Sequence, residues 1–337
     1  MSQQEHPFAQ YVRILGKGRN GSRGLSSEEA YESMRMIMND EVDPLQLGAY
    51  LMLMRVKEET PDEVAAAVRA IRESLATPEG FTVDLDWSSY AGKKRILPWY
   101  LLATLLMADS GIRIFMHGAS GHTPGRIYTK DVLPQLGVPV ATSLEQAVEQ
   151  MEATNFSYID LEHLSPKLHE IIEMRPLLGL RSPVHTIARM LNPFNAPVVM
   201  QGIFHPGYRP THQEAGMLLE IPHMAVIKGE GGEIERNRDL EVLLQSVHNG
   251  EMTDETWPAM FDKRHVRPEE MNVPNLIAVW NGSLDDEYAE ASVVGTVAIG
   301  GDITASADVD LLMTGTVALS DLASLLAGTG ADDIVDG

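Results

Sequence analysis

The sequence contains no cysteine among its 337 residues, and this absence excludes several kinds of chemistry. Disulfide bonds, thiolate nucleophiles and cysteine-ligated zinc sites all require a residue that the chain lacks. Long apolar runs are missing as well, so no segment is long enough to span a bilayer. Residues 2–6 form neither the basic nor the apolar region of a signal peptide. The sequence therefore predicts a soluble, cytoplasmic protein without a membrane partner.

Positive charge is scarce, and it is unevenly distributed along the chain. The formal net charge is −22 at pH 7, and residues 239–337 carry only three Lys or Arg against nineteen Asp or Glu. An acidic chain argues against a nucleic-acid partner. However, the basic clusters all lie in the nearly neutral residues 1–238, so these local clusters must decide the partner. The acidic end is most simply a solvated face that aids solubility.

Residues 7–75 carry the pattern of four consecutive helices with apolar stripes at helical spacing. Three of these helices have N-cap signals, namely Ser26 with Glu29, Asp43 before Pro44, and Thr60 with Glu63. Residues 77–80, Thr-Pro-Glu-Gly, are typical of a hinge-like linker. We predict a helical domain over residues 1–76, joined by part of 160–190, and an α/β domain over residues 86–337.

Beyond the linker the pattern alternates between helices and strands. The predicted strands cover residues 112–116, 158–159, 198–204 and 224–227. The predicted helices start at Pro98 and Ser143 and cover 167–174 and 211–219. Such alternation is typical of a mainly parallel sheet with helices on both faces. Toward the C-terminus, the pattern predicts a strand over 292–299 and a helix over 309–326.

A cationic segment precedes the helix that Pro98 opens. Lys93, Lys94 and Arg95 follow Gly92 directly. Positive side chains at a helix N-terminus oppose the helix dipole, so they are unfavourable there as purely structural residues. Together with the dipole they would attract an anion. We therefore interpret this segment as a candidate phosphate site.

A second glycine-rich segment, residues 117–126, follows the predicted strand 112–116. Its glycines allow backbone N–H groups to approach a ligand closely. In an α/β fold this loop and the cationic segment would lie near each other at the ends of parallel strands, where anionic ligands bind. The segment adds His117, Gly118 and Arg126 to the candidate site.

Arginines cluster between residues 175 and 189. Arg181, His185 and Arg189 are four residues apart and would share one face of a helix. With Arg175 they form a row of guanidinium groups that suits phosphates or a carboxylate. The alternative is that these arginines pair with the acidic C-terminal region.

Two further loops are candidates with ordinary alternatives. Residues 16–21, Gly-Lys-Gly-Arg-Asn-Gly, match the dinucleotide-binding fingerprint by letter, but a predicted helix precedes them, not a strand. Lys17 and Arg19 then form either a flexible basic segment or a solvated loop. Residues 228–236 follow a predicted strand and contain Lys228 and several glutamates, which could hold Mg²⁺ with waters. The sequence has no His-Glu-x-x-His or Gly-x-Ser-x-Gly motif.

Several scattered motifs together resemble the anthranilate phosphoribosyltransferase family, a branch of glycosyltransferase family 3. They are the four-helix start, the hinge, His117-Gly118, residues 131–133 with 136–137, Arg181, Asn192-Pro193 and Gly229-Glu230. The resemblance covers nearly the whole chain. It implies a small helical domain hinged to a larger α/β domain with a nucleoside phosphorylase-like, mainly parallel sheet. It also implies dimerisation through the helices and a phosphoribosyl-pyrophosphate cleft between the domains.

The functional motifs of that family are replaced here. Its Gly-Thr-Gly-Gly-Asp, Asn-Ile-Ser-Thr, Lys-His-Gly-Asn and Asp-Glu motifs fall at residues 88–92, 98–101, 116–119 and 234–235. Bulky Tyr90 and Tyr100 would occupy space that the pyrophosphate needs, and Ile234 cannot bind Mg²⁺. Phosphoribosyl transfer needs the metal and a close backbone cradle. We therefore expect no catalytic residues, no cofactor and no such activity, with Mg²⁺ relevant only to a transferase alternative.

The replacement segments, residues 92–95, 121–123, 179–185 and 229–233, resemble a divergent, non-catalytic branch of the family. That resemblance implies binding of single-stranded DNA or RNA in a basic groove without sequence preference. Trp99 or Tyr100 would stack on bases. The implied nucleic-acid or phosphate contacts are Lys17, Arg19, Gly92, Lys93, Lys94, Arg95, His117, Gly118, Arg126, Arg175, Arg181, Arg189 and Lys228.

Two alternatives stay open at this point. One is a phosphoribosyl- or glycosyltransferase with an altered donor or acceptor, and the other is a sensor of a phosphorylated metabolite. A continuous basic groove would favour nucleic-acid binding. A closed cleft with acidic side chains paired around Glu233 and Glu235 would favour a transferase.

The helical domain is also predicted to form a homodimer. Its apolar residues include Met34, Met38, Tyr50, Met52 and Met54. Four short helices would not bury all of this surface internally, and methionine suits adaptable contacts.

Overall fold

The chain begins with a bundle of four helices, α1 (Ala9–Gly16), α2 (Ser27–Met38), α3 (Pro44–Lys57) and α4 (Pro61–Ser74). The structure is a computed structural model that describes residues 5–121, 123–266, 268 and 270–305. Capping boxes open α2 and α4, because Ser26 accepts a hydrogen bond from the Glu29 amide and Thr60 from the Glu63 amide. The side chain of Asp43 caps α3. The predicted starts of these three helices are confirmed.

An eight-stranded sheet forms the centre of the larger domain. Its strands are β1 (Leu85–Ser89), β2 (Ile114–Gly118), β3 (Val140–Ala141), β4 (Phe156–Asp160), β5 (Val198–Ile203), β6 (His223–Lys228), β7 (Val242–His248) and β8 (Glu251–Trp257). Their order is β3-β4-β2-β1-β5-β6-β7-β8. Neighbours from β3 to β6 pair in parallel, whereas β7 and β8 add an antiparallel edge. The four central parallel strands are buried along their whole length, as a sheet covered on both faces requires.

Helices cover both faces of this sheet. They are α5 (Tyr100–Asp109), α6 (Thr129–Val132), α7 (Leu144–Thr154), α8 (Leu161–Leu164), α9 (Pro166–Glu173), α10 (Arg175–Leu178), α11 (Val184–Ile187), α12 (Arg209–Leu218), α13 (Pro274–Trp280) and α14 (Glu287–Ala305), with 3₁₀ turns at Leu133–Leu136, Ala188–Met190 and Pro206–Tyr208. One hydrophobic core joins the four-helix bundle to one sheet face, and a second packs α5 and α14 on the other. The predicted fold class, a helical domain with a mainly parallel α/β domain, is confirmed.

The C-terminal third differs from the sequence-based expectation. The strand predicted over 292–299 is wrong, because those residues lie inside α14. Their β-branched residues favour a strand locally. In the fold, Ala289, Val293 and Val297 recur every four positions and are buried where α14 packs against α5. The helix predicted over 309–326 lies outside the described residues, and the hairpin of β7 and β8 was not predicted.

The sheet brings three of the predicted segments, residues 92–95, 117–126 and 228–236, to one edge, at the carboxyl ends of β1, β2 and β6. Ligands of open α/β sheets bind at this edge. Among the helices of the described residues, none combines the length and apolarity needed to cross a membrane.

Candidate functional site

The loop after β1 has two converging backbone amides that bind a carboxylate of the same chain. The amides of Ala91 and Gly92 both donate to Oε1 of Glu233, each at 2.6 Å. Successive amides that point at one spot form a nest for an anionic oxygen. Since the Glu233 side chain is buried, this nest is filled from within the protein.

The N-terminus of α5 is occupied in the same way by Glu235. Its Oε2 accepts a hydrogen bond from the Tyr100 amide at 3.0 Å, and its Oε1 accepts one from Lys93 Nζ at 2.8 Å. Glu230 lies 3.6 Å from the same Lys93 nitrogen. A carboxylate at a helix N-terminus satisfies free amides and the helix dipole. Both anion-binding features of the predicted phosphate site are therefore satisfied by glutamates.

These glutamates belong to residues 229–235, which we call the carboxylate loop. The loop packs directly onto the segment after β1. A side chain at Gly229 would place its Cβ 1.6 Å from the Glu233 carbonyl oxygen, so only glycine allows this fold. Arg126 joins the two segments, because it donates to the carbonyl oxygens of Ala91 and Gly92 at 2.7 and 3.0 Å and to that of Gly231 at 3.4 Å.

The expectation that Lys93 is exposed to contact phosphate is wrong. Lys93 is completely buried against Glu235, and Gly92 is buried beside it. Lys94 and Arg95 are exposed, as expected. The cationic segment is therefore divided, because Lys93 neutralises an internal carboxylate and only its two neighbours reach solvent.

Trp99 and Tyr100 are not available to stack on bases, because both are buried. The Tyr100 hydroxyl hydrogen-bonds with Thr129 Oγ1 at 2.8 Å and Ser89 Oγ at 3.2 Å. Burial raises the pKa of Tyr100 well above its usual value. The predicted aromatic platform is therefore part of the core.

His117 and Gly118 are also internal to the fold. His117 hydrogen-bonds with the Tyr90 hydroxyl at 2.7 Å and with Asp86 Oδ1 at 3.2 Å, and all three are buried. A Cβ at Gly118 would lie 1.9 Å from the carbonyl oxygen of Ser89. Close packing of β1 and β2 thus explains both residues, and neither is exposed to a ligand in this conformation.

Beside the carboxylate loop lies an open, cationic depression, which we call the cationic cleft. It consists of an outer cavity of 570 Å³ and an inner cavity of 120 Å³, and both are lined by Phe204 and Gly231. The basic side chains that line the outer cavity are Lys94, Arg95, Arg126, Arg209 and Lys228, and those of the inner cavity are Arg55, Arg181 and Arg189. Three carboxylates, Glu59, Glu230 and Glu241, lie among these eight cations. The net charge of the lining therefore favours an anionic ligand.

Guanidinium groups cluster at the inner end of the cleft, where Arg181 and Arg189 line the inner cavity and Arg175, which lines neither cavity, lies next to Arg181. Arg175 and Arg181 both donate to Thr123 Oγ1, at 2.9 and 3.1 Å. Burial and the neighbouring charges of Arg175 and Arg189 lower the pKa of Arg181 to about 10. Within the described part of the chain, neither Arg181 nor Arg189 forms a salt bridge with a carboxylate. A bound anion would relieve this repulsion.

Two predicted residues lie apart from the cleft. Lys17 and Arg19 are exposed in the loop after α1 and line neither cavity. Conversely, Arg55, Arg209 and Phe204 line the cleft and were not predicted. Arg55 falls within the predicted helix that Pro44 opens, Phe204 ends the predicted strand 198–204, and Arg209 precedes the predicted helix 211–219. The sequence therefore assigned them to secondary structure and not to a site.

The acidic pair that would favour a transferase does not face an open cleft. Glu233 and Glu235 point at backbone amides and at Lys93. Among the described residues no group of three Asp, Glu or His side chains could hold a metal ion. Because Ile234 is buried and has no ligating atom, the carboxylate loop does not fit a Mg²⁺ site.

Comparison with known proteins agrees with this architecture. Residues 12–75 match the model of a glycosyl transferase family's helical bundle domain. An uncharacterized protein of Aquifex aeolicus is 30% identical over 245 residues, covering 72% of this chain and 73% of that protein. Anthranilate phosphoribosyltransferase 1 of Ralstonia nicotianae is 27% identical, covering 69% and 68%. The crystal structure of anthranilate phosphoribosyltransferase from Thermus thermophilus superimposes with a TM-score of 0.74 at 21% identity, covering 96% of this chain and 93% of that one.

Together the fold and the sequence matches define the class of protein. The chain has an anthranilate phosphoribosyltransferase-like, glycosyltransferase family 3 fold.

Proposed function

We propose that this protein is a non-catalytic relative of anthranilate phosphoribosyltransferase that binds single-stranded nucleic acid in the cationic cleft. One observation carries the proposal. The chain's own carboxylates fill the amide nest after β1 and the N-terminus of α5, while the adjacent cleft stays open and cationic. The cleft would thus bind an anion next to a site whose anion-binding amides are already occupied by glutamates.

The geometry of the carboxylate loop argues against the transferase alternative. A pyrophosphate in the nest would have to displace Glu233, and an incoming Mg²⁺ would find Glu235 bound to Lys93. Removing a buried carboxylate from its partner costs several kcal/mol. Substrate binding would have to supply that free energy before any chemistry began.

The cleft itself supports a polyanion over a single small ligand. Its two cavities adjoin at Phe204 and Gly231, and cations line both of them. Backbone phosphates are contacted mainly by such cations, which carry no base information. The inner cavity alone, with Arg181 and Arg189, supports a second candidate function, which is a sensor of a small phosphorylated metabolite.

A homodimer through the helical domain is part of this proposal. The outward face of α3 carries Leu45 and Val56, which are 85% and 77% exposed, and Leu177 is 84% exposed on α10. Leu178 of α10 lies 3.8 Å from the Cβ position of Gly48 in α3, so α10 lies beside α3. We infer that the three exposed residues belong to one apolar surface. A second copy of the chain would cover it.

The test is the affinity for a 30-nucleotide oligothymidylate across a range of salt concentrations. Wild-type protein should bind, and log Kd should rise linearly with log salt, because each neutralised phosphate contributes about 0.7 to the slope on a single strand. Changing Lys94, Arg95 and Lys228 together to Ala should weaken binding and flatten the slope by up to about 2.

The matched control removes two cations outside the cleft, Lys17 and Arg19. This double Ala variant should bind like the wild type. An equal loss of affinity in both variants would show that the cleft is not the specific contact surface for the strand. If wild-type protein fails to bind at low salt, the nucleic-acid proposal is overturned. Thermal stabilisation by small phosphorylated compounds would then favour the sensor.

A further inference from the structure

Phe204 differs from all the other aromatic residues of the protein in its exposure. The chain has seven Phe, four Trp and nine Tyr residues, and all of them lie in the described part of the structure. Phe204 is 50% exposed, whereas the others are buried or only partly accessible. An exposed phenyl ring forgoes the burial that stabilises the rest. The exposure of this ring therefore indicates a role for Phe204 other than packing in the core.

Phe204 lies at the carboxyl end of β5 and faces the cleft. It follows the last residue of β5 and lines both the outer and the inner cavity. Its ring packs edge-on against His205, with centroids 4.9 Å apart. Its backbone nitrogen lies 3.5 Å from the Cβ position of Gly232 in the carboxylate loop. The ring therefore sits where the two cavities join, directly after β5.

Cations flank this ring on both sides. Lys94 and Lys228 line the outer cavity, and Arg181 and Arg189 line the inner one. A ring between two sets of cations matches the two requirements of an unpaired strand, because its phosphates need positive charge and its bases need a flat apolar face. A double helix has no free base face to stack on the ring, and a lone phosphate has no flat apolar surface that the ring could contact.

We propose that Phe204 is a stacking platform for one unpaired base, with the phosphates on either side held by the cations of the two cavities. This inference rests on the proposed function and specifies its ligand as a single strand. It predicts a contribution to affinity from the bases themselves that does not depend on salt or on sequence, because every base has a π-face.

The experiment compares two strands with identical phosphates. One is a 30-nucleotide oligothymidylate, and the other is an abasic strand of the same length. Four proteins are measured: wild type, Phe204→Leu, Phe204→Trp and Leu218→Ala. Leu keeps apolar bulk but removes the ring, and Trp keeps a ring. Leu218, which is 38% exposed at the end of α12 and lines neither cavity, is an apolar control outside the cleft.

Wild-type protein should bind the base-bearing strand about 5- to 100-fold more tightly than the abasic strand. Phe204→Leu should lose this difference and keep the same salt slope, whereas Phe204→Trp and Leu218→Ala should keep the difference. Because Phe204 is half-exposed, unchanged thermal unfolding should accompany all variants.

The failures of the two proposals can be told apart. If wild-type protein binds neither strand at low salt, the proposed function itself is overturned. If it binds both strands equally, phosphate binding in the cleft stands and the platform is wrong. An equal loss on both strands in Phe204→Leu would also overturn the platform, since the ring would then shape the cleft and not contact a base.

Discussion

At the scale of single residues, burial gives two side chains of the same type different roles. Lys93 and Lys94 are neighbours, yet Lys93 is buried against Glu235 and Lys94 is exposed at the outer cavity. Both partners of a buried ion pair are needed for stability, because removing one of them leaves an uncompensated buried charge. An exposed cation contributes little to stability and is available for a ligand.

The two lysines should therefore respond oppositely to the same substitution. Lys93→Met should lower the free energy of unfolding by about 3 kcal/mol or more. Lys94→Met should change it by less than about 0.5 kcal/mol and should flatten the salt slope of single-strand binding by roughly 0.7. Urea denaturation and salt-dependent binding measure the two effects.

The double variant Lys93→Met, Glu235→Gln serves as the control for the ion pair. The introduced glutamine would keep an acceptor for the Tyr100 amide and carry no charge, so part of the lost stability should return. Equal stability of the single and double variants would show that the charge of Glu235 is not what Lys93 balances.

At the scale of elements, α3 is apolar on two faces. Its inward residues, Leu47, Leu51 and Met54, belong to the core of the bundle. Of the five apolar residues on which the dimer prediction rests, Met34, Tyr50 and Met54 are buried inside the protomer and supply no dimer surface. The exposed surface comes instead from Leu45 and Val56 of α3 with Leu177 of α10.

Charges on that surface should separate the proposed dimer. We expect wild-type protein to sediment as a dimer of about twice 37.0 kDa and the variant Leu45→Glu, Val56→Glu to sediment as a monomer. Burying two new carboxylates at an apolar interface is strongly unfavourable. Sedimentation velocity at micromolar concentration measures the change.

Met252→Glu provides a matched control, because Met252 is 50% exposed on β8, outside the helical domain. This variant should remain a dimer. A wild-type protein that sediments as a monomer would contradict the proposed dimer, and dissociation of the control would show that the effect is not specific to α3.

At the scale of the whole molecule, the carboxylate loop fills the amide nest after β1 and the N-terminus of α5 with Glu233 and Glu235. We therefore expect no phosphoribosyl anthranilate above background when the protein is incubated with anthranilate, phosphoribosyl pyrophosphate and Mg²⁺. Pyrophosphate with Mg²⁺ should also leave the melting temperature unchanged, because it would have to displace Glu233 and Glu235. An active anthranilate phosphoribosyltransferase is the positive control, and sustained turnover would refute the expectation.

Much of the fold followed from the sequence because its signals are local. The caps at Ser26, Asp43 and Thr60 act within one helical turn, and apolar periodicity reports which face each element buries. The same local reading failed over 292–299, where β-branched residues favoured a strand and packing against α5 imposed a helix. Residues that replace the family's phosphate motifs were also visible in sequence, as the bulky Tyr90 and Tyr100.

Which groups of the site are buried and paired, and which are open to a ligand, was decided only by the tertiary structure. The Lys93–Glu235 pair joins residues 142 positions apart, and the bond from Gly92 to Glu233 spans 141. A sequence shows which charges exist, but the free energy of a charge depends on the atoms that surround it after folding. Basic residues after β1 therefore predicted a phosphate site, whereas the fold brought glutamates to its amides and left Lys94, Arg95 and Phe204 at the open cleft.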